Sequence, residues 1–428
     1  MAKKNASFNL IIDSRPDVNS GVFATSPTLR QYQTFDEAIK DGAIVGVGEQ
    51  QWNMMSQKLK SQRSSYEISE DKKLLGFSAL VGLHSKDLQA TTEYNRLQGF
   101  VDDIYNSSIV NSASKSFFFQ EMKKKGFAHP LTYHVNDGVK GVIKLLKAGS
   151  FKKTFIKPAE GSGSIGVVKV DFSDSNSNRK INDLSGVLAE FSEVRDWVVM
   201  EAIDGVQGIK EYSINAIIIE GISALTVVHA KTEQSQSSPF RDYLVVTHKA
   251  NDLEQEQAEK LIAEVIDTLG ITVGVIQLEV RPNSEGQWLP IDVSLRPDGG
   301  LMPETILATR GIDFRLAHTY AQVGALDKLD HLVSNPIEIQ ASFAAIGAFY
   351  GRKINDKLLV EMYQLSTKST TNDSGLWKVV FGVDFSNIGL QPVEIRAAMC
   401  SLGDSAEEAV ANLKLGANKL GLVSGSCV

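Results

Sequence analysis

Hydrophobic and polar residues alternate along residues 275–300 (VIQLEVRPNSEGQWLPIDVSLRPDGG), and the alternation predicts two strands joined by a turn. Side chains alternate between the two faces of a strand, so Gln277 and Glu279 share one face, as do Asp292 and Ser294. A tight turn at the Glu-Gly pair would place Glu279 opposite Asp292. Facing carboxylates repel each other unless a cation lies between them, and their hard oxygen atoms suit Mg²⁺. The alternative is two unrelated solvated acids on the rim of a sheet.

The same criteria predict strands and helices in alternation over the rest of the chain. Strands are predicted at Phe8 to Ile12, Ala43 to Val47, Lys153 to Lys157, Val167 to Asp171, Trp197 to Glu201, Tyr212 to Ile219 and Ser223 to His229, and within Ala341 to Val383. Helices are predicted at Phe35 to Lys40, Gln50 to Arg63, Leu88 to Tyr105, Lys115 to Gly126 and Asn251 to Gly270, with a last helix capped by Ser405 and Glu408.

Length and composition narrow the classes of protein. A chain of 428 residues is too long for one small core, so two or three subdomains are expected. The formal net charge of −7 argues against nucleic acid or an anionic membrane as the main partner. Asp13 interrupts the first apolar segment, so no signal peptide is predicted. With two cysteines and no metal-ligand spacing, the sequence predicts a cytoplasmic protein with reduced thiols.

A glycine- and serine-rich loop lies within residues 155–168 (FIKPAEGSGSIGVV). Its three glycines allow positive φ and a close approach of backbone N–H groups to an anion, which is typical of a phosphate-binding loop. It differs from the P-loop of nucleotide-binding proteins, because Lys157 precedes the glycines and no Gly-Lys-Ser/Thr follows them. The alternative is a plain hairpin turn.

Residues 198–205 (VVMEAIDG) end a predicted strand at an Asp-Gly turn. Exposed backbone at such a point can pair with a purine edge, with the Glu201 carbonyl accepting from the amino group and the Ile203 N–H donating to the ring. Glu211, beyond the turn, is placed to hold ribose hydroxyls. The alternative is a strand that simply ends in a turn.

Taken in order, these segments resemble the ATP-grasp superfamily and, within it, the carboxylate-amine ligases that include bacterial L-amino-acid (dipeptide) ligases. The resemblance covers roughly residues 110–428, and its most specific parts are KPAEGSGSIGV and DVSLRPDGG. It implies an α/β (α+β) ATP-grasp fold. Residues 1–112 would form the N-terminal pre-ATP-grasp domain, 113–203 a small lid subdomain, and 204–428 a larger C-terminal subdomain with a mixed sheet.

The resemblance also implies roles for particular residues. Arg296 and Lys157 would be catalytic, with Arg296 facing the transferred phosphoryl group. The ATP-binding set would be Lys115, Lys157, Ser162, Gly163, Ser164, Glu201, Ala202, Ile203 and Glu211. Glu279, Asp292 and Ser294 would hold Mg²⁺ or Mn²⁺. The family usually has Asn where this chain has Ser294, so a water between Ser294 and the metal is the alternative to direct coordination.

The polar, turn-rich segment TEQSQSSPFRD is predicted to be a mobile loop. Three further polar residues lie on or beside it, namely His229, Lys231 and Arg241. They are candidates for contact with a substrate carboxylate or amine, and for each of them an ordinary surface role is the alternative. This segment and the glycine loop are predicted to cover the site, because an acyl phosphate must be protected from water.

The resulting hypothesis is an ADP-forming ligase that activates a carboxylate as an acyl phosphate and joins it to an amine, both from amino acids or related small molecules. Alternatives are ATP-grasp ligases of nucleotide metabolism or acyl-thioester formation, and a non-catalytic ATP-binding protein like synapsin. The set Lys157, Glu279, Asp292 and Arg296 favours an enzyme, because a mere binder needs fewer charges. A homodimer is a further expectation for ligases of this kind.

Overall fold

The structure is a computed structural model. It describes residues 10–11, 44–45, 88–89, 92–93, 95–96, 99, 101–149, 152–160, 166–173, 177–203, 211–234, 242–299, 301–351, 376–382, 395–419 and 423–424. Its helices are α1 (Asp103–Ala113), α2 (Lys115–Lys125), α3 (Gly138–Ala148), α4 (Ser177–Ala189), α5 (Asp252–Leu269), α6 (Met302–Arg310), α7 (Phe314–Gln322), α8 (Leu326–Ser334) and α9 (Ala406–Lys419).

The described strands form three sheets. They are β1 (Leu10–Ile11), β2 (Ile44–Val45), β3 (Thr132–Val135), β4 (Lys153–Pro158), β5 (Val168–Asp171), β6 (Trp197–Glu201), β7 (Glu211–Ile219), β8 (Ile222–Gln234), β9 (Asp242–Thr247), β10 (Gly274–Pro282), β11 (Trp288–Ser294), β12 (Phe343–Gly351), β13 (Leu376–Gly382), β14 (Ile395–Gly403) and β15 (Val423–Ser424). Strands β1 and β2 pair with each other in parallel.

The smaller main sheet has the order β3-β6-β4-β5 and is antiparallel. Helices α3 and α4 pack on it and share one apolar core with it, which contains Val142, Leu146, Ile156, Leu184, Leu188 and Trp197. Trp197 is fully buried, and its indole N–H donates to the Val194 carbonyl at 3.0 Å, so burying the ring leaves no unpaired donor.

The larger sheet has nine strands in the order β11-β10-β7-β8-β9-β12-β14-β13, with β15 also paired to β12. Every pairing between its described strands is antiparallel, so the mixed sheet expected for the C-terminal subdomain is corrected in this respect. Short connections explain the direction in part, since tight turns join antiparallel neighbours. The β7–β8 turn is an example: Glu220 has φ 54° and Gly221 has φ 76° there.

The strand pairing predicted within residues 275–300 is confirmed. Glu279 on β10 lies opposite Asp292 on β11, and Gln277 lies opposite Ser294. The register shifts just after Glu279, so a bulge follows the first carboxylate. The turn that closes the hairpin contains Gly286 at φ 80°.

The predicted helix boundaries are confirmed where the sequence carries capping signals. Asn251 and Glu254 form a capping box at the start of α5, and Gly270 ends it at φ 67°. Ser114 caps α2, and Gly126 ends it. The predicted apolar stripe of α5 is buried against the larger sheet and consists of Ala258, Leu261, Ile262, Val265 and Leu269.

Other elements were not predicted or cannot be compared. Helices α3 and α4 and strand β14 have no counterpart in the sequence prediction. The helices predicted at Phe35 to Lys40 and Gln50 to Arg63 lie outside the described residues. In the described part of the chain, no helix combines the length and the apolar character needed to cross a membrane.

Candidate functional site

Two lysines extend from the region of the smaller sheet to the β10–β11 hairpin. Lys157, near the end of β4, donates from Nζ to the Ile291 carbonyl at 3.1 Å. Lys115, the first residue of α2, places Nζ 3.3 Å from Asp292 Oδ1. The Lys115 backbone N–H donates to the Ala159 carbonyl at 2.9 Å, which fixes the start of α2 beside β4. Two different elements, β4 and α2, therefore each bring a lysine to β11, the strand that carries Asp292.

A buried ion-pair network lies next to this pair. Lys231 donates to Glu211 Oε1 at 2.7 Å and to Glu279 Oε1 at 2.8 Å. Arg281 approaches the other Glu211 oxygen, Oε2, at 2.8 Å. Glu211 lies opposite Lys231 in the β7–β8 pairing, so the strand register itself brings these two charges together. Both oxygens of Glu211 are thus engaged by cations within the protein.

The charges around Glu279 determine its protonation state. Burial raises the pKa of Glu279, but Lys231, Lys157 and Lys115 together lower it further, so the pKa lies well below its ordinary value. Burial lowers the pKa of the Lys157 ammonium, against the opposing effect of Asp292 and Glu279. Glu279 is therefore an anion at neutral pH.

The three residues predicted to hold a metal fit a magnesium ion in part. Asp292 Oδ1 is buried and has no hydrogen-bond partner within the described residues, although Lys115 lies close to it. Ser294 lies two residues beyond Asp292 on the same strand face. Among the described residues, no group of three or more His, Cys, Asp or Glu side chains is arranged to hold a metal. Two carboxylates are enough for Mg²⁺, which takes its other ligands from water and phosphates.

Arg296 and Asp298 lie in the turn that follows β11. Arg296 Nη1 donates to the Pro297 carbonyl at 2.8 Å, which holds the guanidinium against its own turn. Asp298 Oδ1 accepts from the Gly299 N–H at 2.7 Å. Asp298 Oδ2 accepts from the Ser213 hydroxyl at 2.7 Å, so the turn is tied to β7.

Asp298 and Ser213 are site residues that the sequence reasoning missed. Both lie inside segments already singled out, EYSI and DVSLRPDGG, but strand alternation alone does not reveal a contact between residues 85 positions apart. Asn215 donates from Nδ2 to the Ser213 hydroxyl oxygen at 3.2 Å and extends the chain of hydrogen bonds into the core. Burial raises the pKa of the Asp298 carboxyl, against the lowering effect of Lys231.

His229, a predicted substrate residue, is fully buried beneath helix α6. Its Nε2 lies 2.8 Å from the Thr305 hydroxyl oxygen. Because that hydroxyl donates its only proton to the Met302 carbonyl at 2.7 Å, the His229 Nε2–H must be the donor. Burial lowers the pKa of His229 to about 3, so the ring is neutral at physiological pH. Its Nδ1 has no hydrogen-bond partner within the described residues.

The predicted adenine-binding segment adjoins the ion-pair network. The Leu131 backbone N–H donates to Glu201 Oε1 at 2.7 Å. The Ala202 N–H donates to the Lys153 backbone carbonyl at 3.0 Å. The Ile203 carbonyl accepts from Arg281 Nη1 at 3.4 Å. Arg281, which the sequence reasoning also missed, therefore connects the end of this segment to Glu211.

Phe155 on β4 is another unpredicted neighbour of the site. Three cations lie within 6 Å of its ring centroid: Lys169 Nζ at 5.5 Å, Arg281 Cζ at 5.7 Å and Lys157 Nζ at 5.8 Å. The electron-rich face of the aromatic ring attracts cations.

The structure thus brings together Lys115, Lys157, Glu211, Lys231, Glu279 and Asp292, with Arg281 and the segment Glu201–Ile203 alongside. His229 lies in a buried wall on the same sheet, opposite Ser213. Four predicted residues lie outside the described residues, namely Ser162, Gly163, Ser164 and Arg241.

Comparison with known proteins identifies a family for part of the chain. Residues 151–304 match the family model described as an ATP-grasp domain. No curated protein matches the sequence significantly.

Solved structures share the fold over nearly the whole chain. The L-amino acid ligase from Bacillus licheniformis is 15% identical with a TM-score of 0.64, and the match covers 98% of each chain. Phosphoribosylglycinamide synthetase from Anaerococcus prevotii is 10% identical with a TM-score of 0.62, over 97% of this chain and 99% of that one. The biotin carboxylase domain of the Hydrogenobacter thermophilus 2-oxoglutarate carboxylase, in complex with MgADP, is 10% identical with a TM-score of 0.63, over 98% and 91%.

The fold and the family match define the class of protein. The chain carries an ATP-grasp domain in residues 151–304 and has the α/β ATP-grasp fold, as the order of its motifs predicted. At 10–15% identity, the structural likenesses establish the fold alone.

Proposed function

We propose that this protein is an ADP-forming carboxylate-amine ligase, which uses ATP to activate the carboxylate of an amino acid or related small acid and joins it to the amine of a second amino acid. The observation that carries the proposal is the facing pair Glu279 and Asp292, with Lys115, Lys157 and Lys231 around it, inside an ATP-grasp domain. The L-amino acid ligase among the structures of the same fold supports the choice of substrates.

In the proposed site, ATP would lie between the smaller main sheet and the larger sheet. Lys115 and Lys157 would bind its phosphates, and Ser162, Gly163 and Ser164 would close over them. The backbone of Glu201–Ile203 would hold the adenine. Mg²⁺ or Mn²⁺, held by Glu279 and Asp292 with Ser294 or a water, would neutralise phosphate charge when bound.

Glu211 has two proposed roles in this site. It was predicted to hold the ribose, yet Lys231 and Arg281 already engage both of its oxygens. We propose that it contacts the ribose from within this network, and that the network also fixes Lys231 beside Glu279. An oxygen of a carboxylate can accept more than one hydrogen bond, so the two roles are compatible.

Arg296 would stabilise charge on the reacting carboxylate. Its planar guanidinium is held by the Pro297 carbonyl, so little reorganisation is needed when charge develops on the acyl phosphate and on the oxyanion that follows. Most of the catalysis is then positioning and charge stabilisation, as phosphoryl transfer requires. Lys231 and, from outside the described residues, Arg241 are proposed to contact the substrates, with neutral His229 supporting the wall behind them.

The proposal is tested by a phosphate-release screen over pairs of amino acids with ATP and Mg²⁺, followed by mass spectrometry of the products. The expected result is phosphate release that needs both amino acids, together with a product whose mass equals their sum less one water. Tight ATP binding with no release for any pair would contradict the proposal and favour a binding protein. Release with a single acid and a different acceptor would point to another ligase of this fold.

A further inference from the structure

Amide formation by the proposed ligase requires an unprotonated amine. At neutral pH the amino group of an amino acid is mostly an ammonium ion, which has no lone pair for attack on an acyl phosphate. A group in the site must therefore accept a proton as the amine attacks. This inference rests on the proposed function, and it concerns which residue accepts that proton.

Of the four described carboxylates near the proposed reaction centre, three are paired with cations. Glu211 is bound by Lys231 and Arg281, Glu279 is bound by Lys231, and Asp292 lies beside Lys115. Glu279 and Asp292 are also the proposed metal ligands. A cation that lies beside a carboxylate repels the approach of a substrate ammonium ion.

Asp298 is the exception. Within the described residues, its oxygens receive hydrogen bonds from a serine hydroxyl and a backbone N–H, and no ammonium or guanidinium group lies within ion-pair distance. Burial raises the pKa of the Asp298 carboxyl. The charged groups that face it are Lys231 on β8 and Arg296 in its own turn, which lower the pKa, and Glu279 on β10, which raises it.

The strand register places Asp298 over the reaction centre. Ser213, whose hydroxyl donates to Asp298 Oδ2 at 2.7 Å, lies directly opposite Glu279 in the β7–β10 pairing. Asp298 therefore lies above the face of the sheet that carries Glu279, a proposed metal ligand. It follows Arg296 by two residues. Asn215 donates to the Ser213 oxygen, so the serine proton is directed at Asp298.

We infer that Asp298 is the general base of the amide-forming step, and that Ser213 is the positioning residue that holds it. The Asp298 carboxylate takes one proton from the substrate ammonium, and the freed lone pair forms a C–N bond to the acyl carbon. The tetrahedral oxyanion then collapses, the bond from the acyl carbon to the phosphate oxygen breaks, and phosphate leaves with that electron pair. The second proton of the nitrogen passes to the departing phosphate, and Asp298 returns its proton to solvent.

Two nucleophiles distinguish a general base for amide formation from a residue needed in the earlier activation of the acid. Hydroxylamine is mostly unprotonated at neutral pH, so it traps an acyl phosphate as a hydroxamate without needing a base. An amino acid arrives as an ammonium ion and needs one. The experiment measures hydroxamate and amide formation by the full-length protein with ATP, Mg²⁺ and the acid substrate found in the screen.

For Asp298→Asn we expect hydroxamate formation within about 3-fold of wild type and amide formation reduced ~100-fold or more, the usual contribution of a general base. The remaining amide rate should rise with pH, because more amine is then free. Asp183→Asn, on the exposed face of α4, is the matched control and should leave both reactions unchanged. For Ser213→Ala, loss of a hydrogen bond that lowers the Asp298 pKa should move the acidic limb of the amide pH profile to higher pH.

Equal loss of hydroxamate and amide in Asp298→Asn, with ATP binding intact, would overturn the inference, because Asp298 would then act in activation or in folding. Unchanged amide formation would overturn it as well. If wild-type protein forms no hydroxamate with any acid, the proposed function itself fails and the inference falls with it. Hydroxamate without amide in wild type would leave activation standing and refute the assigned base.

Discussion

Glu279 and Asp292 face each other across β10 and β11, and a different lysine reaches each of them. Lys231 donates to Glu279 at 2.8 Å, while Lys115 lies 3.3 Å from Asp292. Two like charges in direct opposition destabilise a sheet unless cations compensate. Each of the two facing carboxylates therefore has its own lysine to offset its charge.

Replacing Glu279 by Gln should remove one metal ligand while keeping the shape of the side chain. We expect Mg²⁺-dependent phosphate release to fall ~100-fold or more, because transition-state charge loses its stabilisation. Phosphate release at saturating ATP measures this loss. Glu285→Gln, in the exposed turn of the same hairpin, is the matched control and should keep wild-type turnover. Equal turnover in both variants would refute the metal assignment.

Replacing Lys157 by Ala should weaken ATP binding. A hydrogen bond between charged groups contributes about 1.5–3 kcal/mol, so the Kd for ATP should rise about 10-fold or more. Isothermal titration calorimetry measures the change directly. Lys144→Ala, an exposed lysine of α3, is the control. If the Kd of Lys157→Ala stays at the wild-type value, Lys157 does not contact the phosphates.

Replacing Glu211 by Gln should destabilise the fold as well as the site. The change leaves Lys231 and Arg281 without a shared counter-charge in a buried position, which costs ~3 kcal/mol or more. Urea unfolding measures the loss, and exposed Glu256→Gln is the control. In the double variant Glu211→Gln/Arg281→Met, part of the loss should be recovered, because one unpaired cation is gone. No recovery would show that the two residues are not coupled.

The local parts of the site were predictable because short-range chemistry determines them. Strand alternation placed Glu279 opposite Asp292, and the capping signals at Asn251 and Gly270 gave the bounds of a long helix. These signals depend on residues a few positions apart. The structure agrees with the sequence prediction at these positions.

Contacts between distant segments were not predictable in the same way. The Ser213–Asp298 hydrogen bond depends on β7 and β10 being neighbours, which strand periodicity does not reveal. The Arg281–Glu211 pair has the same origin. The strand order β11-β10-β7-β8 depends on how the whole sheet packs, so strand periodicity in the sequence does not predict it.

His229 has a consequence for the pH dependence of stability. In the folded protein it is buried, and its pKa is lowered to about 3, so it stays neutral until strongly acidic pH. In the unfolded chain, a histidine takes up a proton near pH 6.5. Between these values only the unfolded state binds the proton, so stability contributed by neutral His229 is complete above about pH 6.5 and declines as the pH falls.

Replacing His229 by Gln should remove this part of the pH dependence. From about pH 7 to about pH 5, protonation of one histidine in the unfolded state lowers the free energy of unfolding by ~2 kcal/mol. We therefore expect wild type to lose ~2 kcal/mol more than His229→Gln over this range, measured by urea unfolding at each pH. Gln can keep the hydrogen bond to the Thr305 hydroxyl, so the two proteins are compared with similar packing. Parallel curves for the two would mean that His229 is also protonated in the folded state.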